Sequence, residues 1–146
     1  MSQVAFHFNA PDKTAYACRL LRKASGQGAK VIVTGEADDL DRLDRALWNF
    51  AALEFLPHCR GDATAPMIRA SAIVLSGVGE PVPPASVLVH LGGPPPPEVA
   101  RFERIIEIVG PGESDRHEAR LRWRQYAAQG HELVHHDIAK AGQTRA

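Results

Sequence analysis

Apolar residues recur along this chain with two different periods. Val4, Phe6 and Phe8 alternate loosely with Ala5 and His7 and predict a first strand. Asn9, Pro11 and Asp12 form turn chemistry, with Asp12 placed to cap the next element. Ala17, Leu20, Leu21 and Ala24 fall at helical spacing between Lys13 and Ser25, and Gly26 and Gly28 end that helix. Lys30 to Thr34 is a short β-branched run of the kind that fills a buried strand. Leu40, Leu43 and Leu47 share one face of a second helix, capped by Asp38 or Asp39 and running to about Trp48. The stretch from Leu43 to His58 ends in an apolar segment stopped by Pro57. By pattern alone it could be core, a partner-binding edge or part of an active site.

Residues 60–66 are expected to be a loop and 72–75 a strand. Another strand covers 86–91, and Pro97 opens a short helix through Phe102. Arg104 to Val109 is a strong strand, broken by Gly110, Pro111 and Gly112. Ser114 or Asp115 caps a last helix that runs to about Gln129 and ends at Gly130. One short strand can follow His131, and residues 139–146 are expected to be a mobile tail. This order predicts an α/β fold: a single-domain, three-layer sandwich over residues 1–138, with a mostly parallel, Rossmann-like sheet and helices on both faces.

Charge adds a polarity that the balanced total hides. The formal net charge is +0, which argues against wrapping a long nucleic acid by bulk field. Residues 36–44, however, hold Glu36, Asp38, Asp39, Asp41 and Asp44 against Arg42, whereas residues 116–124 hold Arg116, Arg120, Arg122 and Arg124 against Glu118. One helix is acidic and another basic, so partners are sorted by local patches. A hydrophobic content of 45% suits a soluble globular chain, and no apolar run approaches a membrane span, so no membrane contact is expected. The N-terminus lacks the plan of a secretory signal, and two cysteines are too few for a disulfide framework. A reduced, cytoplasmic protein is the expectation.

Catalytic chemistry is sparse. The first turn lacks glycine and holds Asp12 where phosphate would sit, and neither common phosphate-loop motif occurs, so no nucleotide or other cofactor is expected. His131, His135, His136 and Asp137 have the composition of metal ligands, but a solvated tail is the simpler reading. Cys59 beside His58 could supply a thiolate, although no third group orients the pair. Paired carboxylates such as Asp38 and Asp41 read as a solvated helix face. The last helix offers more. Trp123 falls at the border between an apolar stripe and a face bearing Arg116, Arg120 and Arg124. Core-edge packing with solvated arginines is one reading. The other is an anion-binding surface with an aromatic floor, suited to a carboxylate-bearing peptide or to a single-stranded nucleic acid.

The block Leu43, Asp44, Ala46, Leu47, Trp48, followed by Phe55, Pro57 and His58, resembles the signature of the chi subunit of bacterial DNA polymerase III. Arg120, Arg122, Trp123, Arg124 and Tyr126, closed by Gly130, resemble that family's last helix, although a Tyr is common where Trp123 stands and a Lys where Arg124 stands. The resemblance implies a non-catalytic accessory of the clamp loader with an α/β fold that binds no nucleotide. It implies binding of the acidic C-terminal tail of single-stranded-DNA-binding protein, of Asp-Asp-x-Pro-Phe type, through Arg120, Trp123 and Arg124. It also implies a psi subunit, or another clamp-loader or polymerase component, docked at Trp48 and Phe55, with DNA reached through the partner. A direct single-strand binder and a small enzyme built on His58 and Cys59 are the alternatives. On this reading Trp48 and Phe55 lie near each other and partly exposed, and Pro57 with His58 is a structural stop.

Overall fold

A computed structural model describes residues 2–49, 57–77, 80, 82–96 and 99–139. Seven strands form one sheet: β1 (Gln3–Phe8), β2 (Val31–Thr34), β3 (His58–Arg60), β4 (Ile73–Ser76), β5 (Val87–His90), β6 (Arg104–Ile108) and β7 (Glu132–Asp137). Their spatial order is β3-β4-β2-β5-β6-β1-β7, and every pairing is parallel. The helices are α1 (Lys13–Gly26), α2 (Ala37–Asn49), α3 (Ala65–Ala70) and α4 (Glu113–Ala128), with a 3-10 turn at Val99–Arg101. The expected three-layer α/β architecture is the one observed.

Burial on both faces explains why the central strands read as unbroken apolar runs. Ala17, Leu21, Leu40, Leu43 and Leu47 from α1 and α2 cover one face, meeting Val31, Val33, Ile73, Leu75, Val87, Val89 and Ile106. Ala119 and Tyr126 from α4, with Val99 and Phe102, cover the other over Val4, Phe6, Ile32, Leu88 and Ile105. The helix ends follow local chemistry. The Asp12 side chain accepts from the Ala15 N–H and caps α1. Gly28 and Gly130 take positive φ of 82° and 83° just past α1 and α4, a conformation that glycine adopts without a Cβ penalty.

Several expectations need correction. Pro57 and His58 do not stop the structure: His58 opens edge strand β3, and the Pro57 carbonyl accepts from the Ile73 N–H. Residues 60–66 are not all loop, because Thr64 caps α3 through the Met67 N–H and Pro66 sits in its first turn. Neither Ser114 nor Asp115 caps α4. Gly112 holds that position with no side-chain bond, and both residues lie inside the first turn. The segment after Gly130 is also not simply a solvated tail: residues 132–137 pair with the whole of β1 as β7. Both cysteines are buried and free; Cys18 packs against the α1/α2 face and Cys59 against the α4 face. Among the described residues no helix is long and apolar enough to cross a membrane.

A polar row crosses the α4 face of this otherwise apolar sheet. Glu107, His90, Thr34 and Ser76 stand opposite one another in register across β6, β5, β2 and β4, and Phe6 of β1 faces Glu107 at the end of the row. The His90 Nδ1 lies 2.7 Å from the Thr34 hydroxyl, and Nε2 donates to the Gly93 carbonyl at 2.8 Å. Glu107, wholly buried, accepts from Arg122 Nε at 3.0 Å and from the Tyr126 hydroxyl at 2.8 Å. Burial, then the Glu107 charge and its hydrogen bond, hold the Tyr126 phenol far above the ordinary tyrosine range.

On the other face, His7 Nδ1 lies 2.5 Å from the Tyr16 hydroxyl, and its ring packs 5.2 Å from that of His136. Burial, and then the charges of His136 and Arg104, lower its pKa to about 4. The unfolded chain therefore binds this proton first. Stability contributed by neutral His7 is full above its unfolded value of 6.5 and is lost as pH falls through about 4. Urea midpoints compared at neutral and mildly acidic pH are expected to fall with pH, and His7→Gln is expected to narrow that gap. An unchanged gap in the variant would assign the acid sensitivity to other groups.

Candidate functional site

The crevice where open α/β sheets usually hold ligands lies between β1 and β6, because the helices that follow them, α1 and α4, go to opposite faces. Here an internal ion pair bridges it. Lys13 Nζ lies 3.0 Å from Asp115 Oδ2 and also donates to the Leu91 carbonyl. Asp115 Oδ2 in turn accepts from the Gly110 N–H at 2.7 Å. Asp115, expected as a cap, instead ties the start of α4 to the end of β6 and to α1.

A cavity lies on the flank of the sheet, between α4 and the last two strands of the order, β1 and β7. It encloses about 370 Å³ and is lined by Phe6, Phe8, Val109, Arg116, Ala119, Arg120, Trp123, Arg124 and His135. Strand alternation turns Phe6 and Phe8 to this face together. The parallel register sets His135 beside Phe6. Trp123 is partly buried, with its ring 5.1 Å from Phe6 and 6.2 Å from His135, and His135 lies 5.5 Å from Phe8. The floor and one wall are therefore aromatic.

Arg116, Arg120 and Arg124 are exposed on the rim. Four-residue spacing places them about 6 Å apart along the helix axis, on one face. Arg122, which the sequence groups with them, points the other way and is 5% exposed in its pair with Glu107. That contact fixes the rotation of α4 and so aims the other three arginines at the cavity. Chemically, the site can take an apolar group in its floor and anionic groups at its rim. Of the residues singled out in the sequence, Arg120, Trp123 and Arg124 are brought together here. Phe6, Phe8 and His135 complete the site. Among the described residues no cluster of three or more His, Cys, Asp or Glu could hold a metal.

Trp48 stands apart, at the end of α2, and is 63% exposed. Its ring meets His58 edge-on at 4.8 Å. His58 is buried beneath it, with Nε2 3.2 Å from Asp44 Oδ1. Arg60 Nη1 reaches Asp41 Oδ1 at 2.9 Å, so β3 and α2 are held together by charge. Phe55, expected beside Trp48, lies outside the described residues. His58 and Cys59 do not converge. Cys59 joins the core on the α4 face, with Sγ 4.0 Å from the Met67 carbonyl oxygen, while His58 faces α2. A cysteine–histidine catalytic pair thus has the sheet between its members, and Asp44 orients the histidine alone.

The family model described as "DNA polymerase III chi subunit, HolC" matches residues 1–134. The DNA polymerase III subunit chi of Pseudomonas aeruginosa is 36% identical over 131 residues, covering 85% of this chain and 85% of that protein. The C-terminal domain of the DEAD-box protein Dbp5 superposes with a TM-score of 0.65 over 95% of this chain and 91% of that one. Its identity is 12%, so this last likeness is one of fold alone.

Proposed function

The chain belongs to the DNA polymerase III chi subunit family, and we propose from that premise that it is a non-catalytic replication adaptor. It binds the acidic C-terminal tail of single-stranded-DNA-binding protein in the arginine-rimmed cavity and links that protein to the clamp loader. The observation that carries this reading is the union of an aromatic floor and exposed arginines in one cavity. A tail of Asp-Asp-x-Pro-Phe type presents matching chemistry: an apolar ring for Phe6, Phe8 and Trp123, and carboxylates for Arg116, Arg120 and Arg124. The second surface is Trp48, an exposed aromatic seated on a buried histidine and suited to be an anchor for the psi subunit or another polymerase III component. Phe55 is proposed as its companion, and the cytoplasm as the place of action.

A pull-down tests both surfaces. Immobilised chain is expected to retain full-length single-stranded-DNA-binding protein and to lose it when the partner's last residues are removed. Trp48→Glu is expected to leave that capture intact while abolishing retention of the clamp-loader components. Equal capture of the truncated partner would reject the tail site. A single-stranded oligonucleotide that binds without the partner would instead favour direct nucleic-acid binding on the same arginines.

A further inference from the structure

We infer that the bound tail pairs as an added, eighth strand with the outer edge of β7, the end strand of the seven-stranded sheet. The inference rests on the tail-site reading and assigns the backbone conformation of that ligand. Among the described residues no strand pairs with the outer side of β7. The Glu132 N–H donates inward to the Ser2 carbonyl. In a parallel ladder the backbone groups of successive residues alternate sides, so the N–H and C=O groups of Leu133 and His135 point outward. His135 also lines the cavity, which joins this edge directly to the proposed tail site. Val134, on the opposite side-chain face, is 43% exposed.

Spacing and charge select the occupant. A strand beside β7 would lie along the flank of α4, which packs over the same face. Its alternate side chains would face the helix about 6.7 Å apart. The exposed Arg116, Arg120 and Arg124 repeat there about every 6 Å. An extended acidic segment therefore meets the arginine row with every second side chain, while its backbone uses the outward groups of Leu133 and His135. A terminal phenyl group at the end of that segment enters the aromatic cavity. A helical peptide would match the row but would leave the edge groups to water.

Titration of the full chain with synthetic tail peptides tests this. The peptides carry a single backbone N-methyl group at each position upstream of the proline in turn. N-methylation is expected to weaken binding by about tenfold at alternate positions and by less than about twofold between them, the loss of one edge hydrogen bond at a time. A flat profile, with Arg124→Ala still reducing affinity for the unmethylated peptide, would overturn the strand pairing and leave the tail site standing. If Arg124→Ala and Trp123→Ala both leave that affinity unchanged, the tail site fails and the strand pairing fails with it. Self-association of the chain that N-methyl-free peptide does not compete away would give the edge to a second copy and likewise overturn the inference.

Discussion

Arg122→Ala is expected to destabilise the protein by about 3–5 kcal/mol, the usual consequence of leaving one member of a buried ion pair without its partner. Glu107 is fully buried, and its two described hydrogen bonds come from Arg122 Nε and the Tyr126 hydroxyl. Removing the guanidinium leaves a carboxylate in the core with one neutral donor. The pair itself is not a strong source of stability. Arg122 Nη2 is buried with no hydrogen-bond partner among the described residues, so the arrangement does not satisfy all its own donors. The double change Glu107→Leu with Arg122→Leu is therefore expected to recover most of the loss. Urea unfolding of the two single variants and the double would measure this as a cycle. Additive losses would mean that the two side chains do not act as a pair. Tyr126→Phe should be milder, by about 1.5–3 kcal/mol, because it removes one hydrogen bond to the Glu107 carboxylate and no charge.

This pair also marks where the sequence was legible and where it was not. The central strands stood out because burial on both faces demands β-branched runs, and α1 and α2 stood out through their leucine spacing. Arg122 was hidden by its neighbours: among Arg116, Arg120 and Arg124 it reads as one more surface cation. A signal for its burial was nevertheless present in Glu107, an acid inside the run Ile105, Ile106, Ile108, Val109. A carboxylate in a doubly buried strand needs a partner, and Arg122 with Tyr126 at i, i+4 offers two donors from one helix face. Strand β3 and helix α3 were missed for a different reason. A strand of three residues, His58–Arg60, is too short for a period to show, and α3 has only six residues. The cavity floor was out of reach altogether. Phe6 and Phe8 meet His135 through a pairing between strands that lie at opposite ends of the chain, and only strand order reveals it. Trp123, Arg120 and Arg124 were legible because all three belong to one helix.

Trp123→Ala is expected to weaken binding of the acidic tail peptide on the order of thirtyfold, and Arg124→Ala about tenfold. The tryptophan has the larger effect because its ring forms the wall against which the tail's phenyl group would pack, with Phe6 and His135 behind it. Truncation would open the cavity and remove contact area at once. Arg124 is exposed, so its contribution is screened, and its variant should bind with a shallower dependence on salt than the parent. Trp123→Tyr, which keeps an aromatic wall, is expected to retain most of the affinity. Converting the peptide's terminal carboxylate to an amide should weaken binding to the parent. It should weaken binding much less to whichever of Arg120→Ala or Arg124→Ala has already removed the carboxylate's partner, so a cycle of calorimetric titrations identifies the reader. Equal losses in both variants would place the carboxylate away from these two arginines and leave Arg116 as the cation on the rim to receive it. All of these variants change cavity side chains while sparing Glu107, Arg122 and Tyr126, so α4 should keep its rotation, and the arginine variants their stability. A fall in unfolding free energy comparable to that of Arg122→Ala would show that Trp123 is core packing first and a binding residue second.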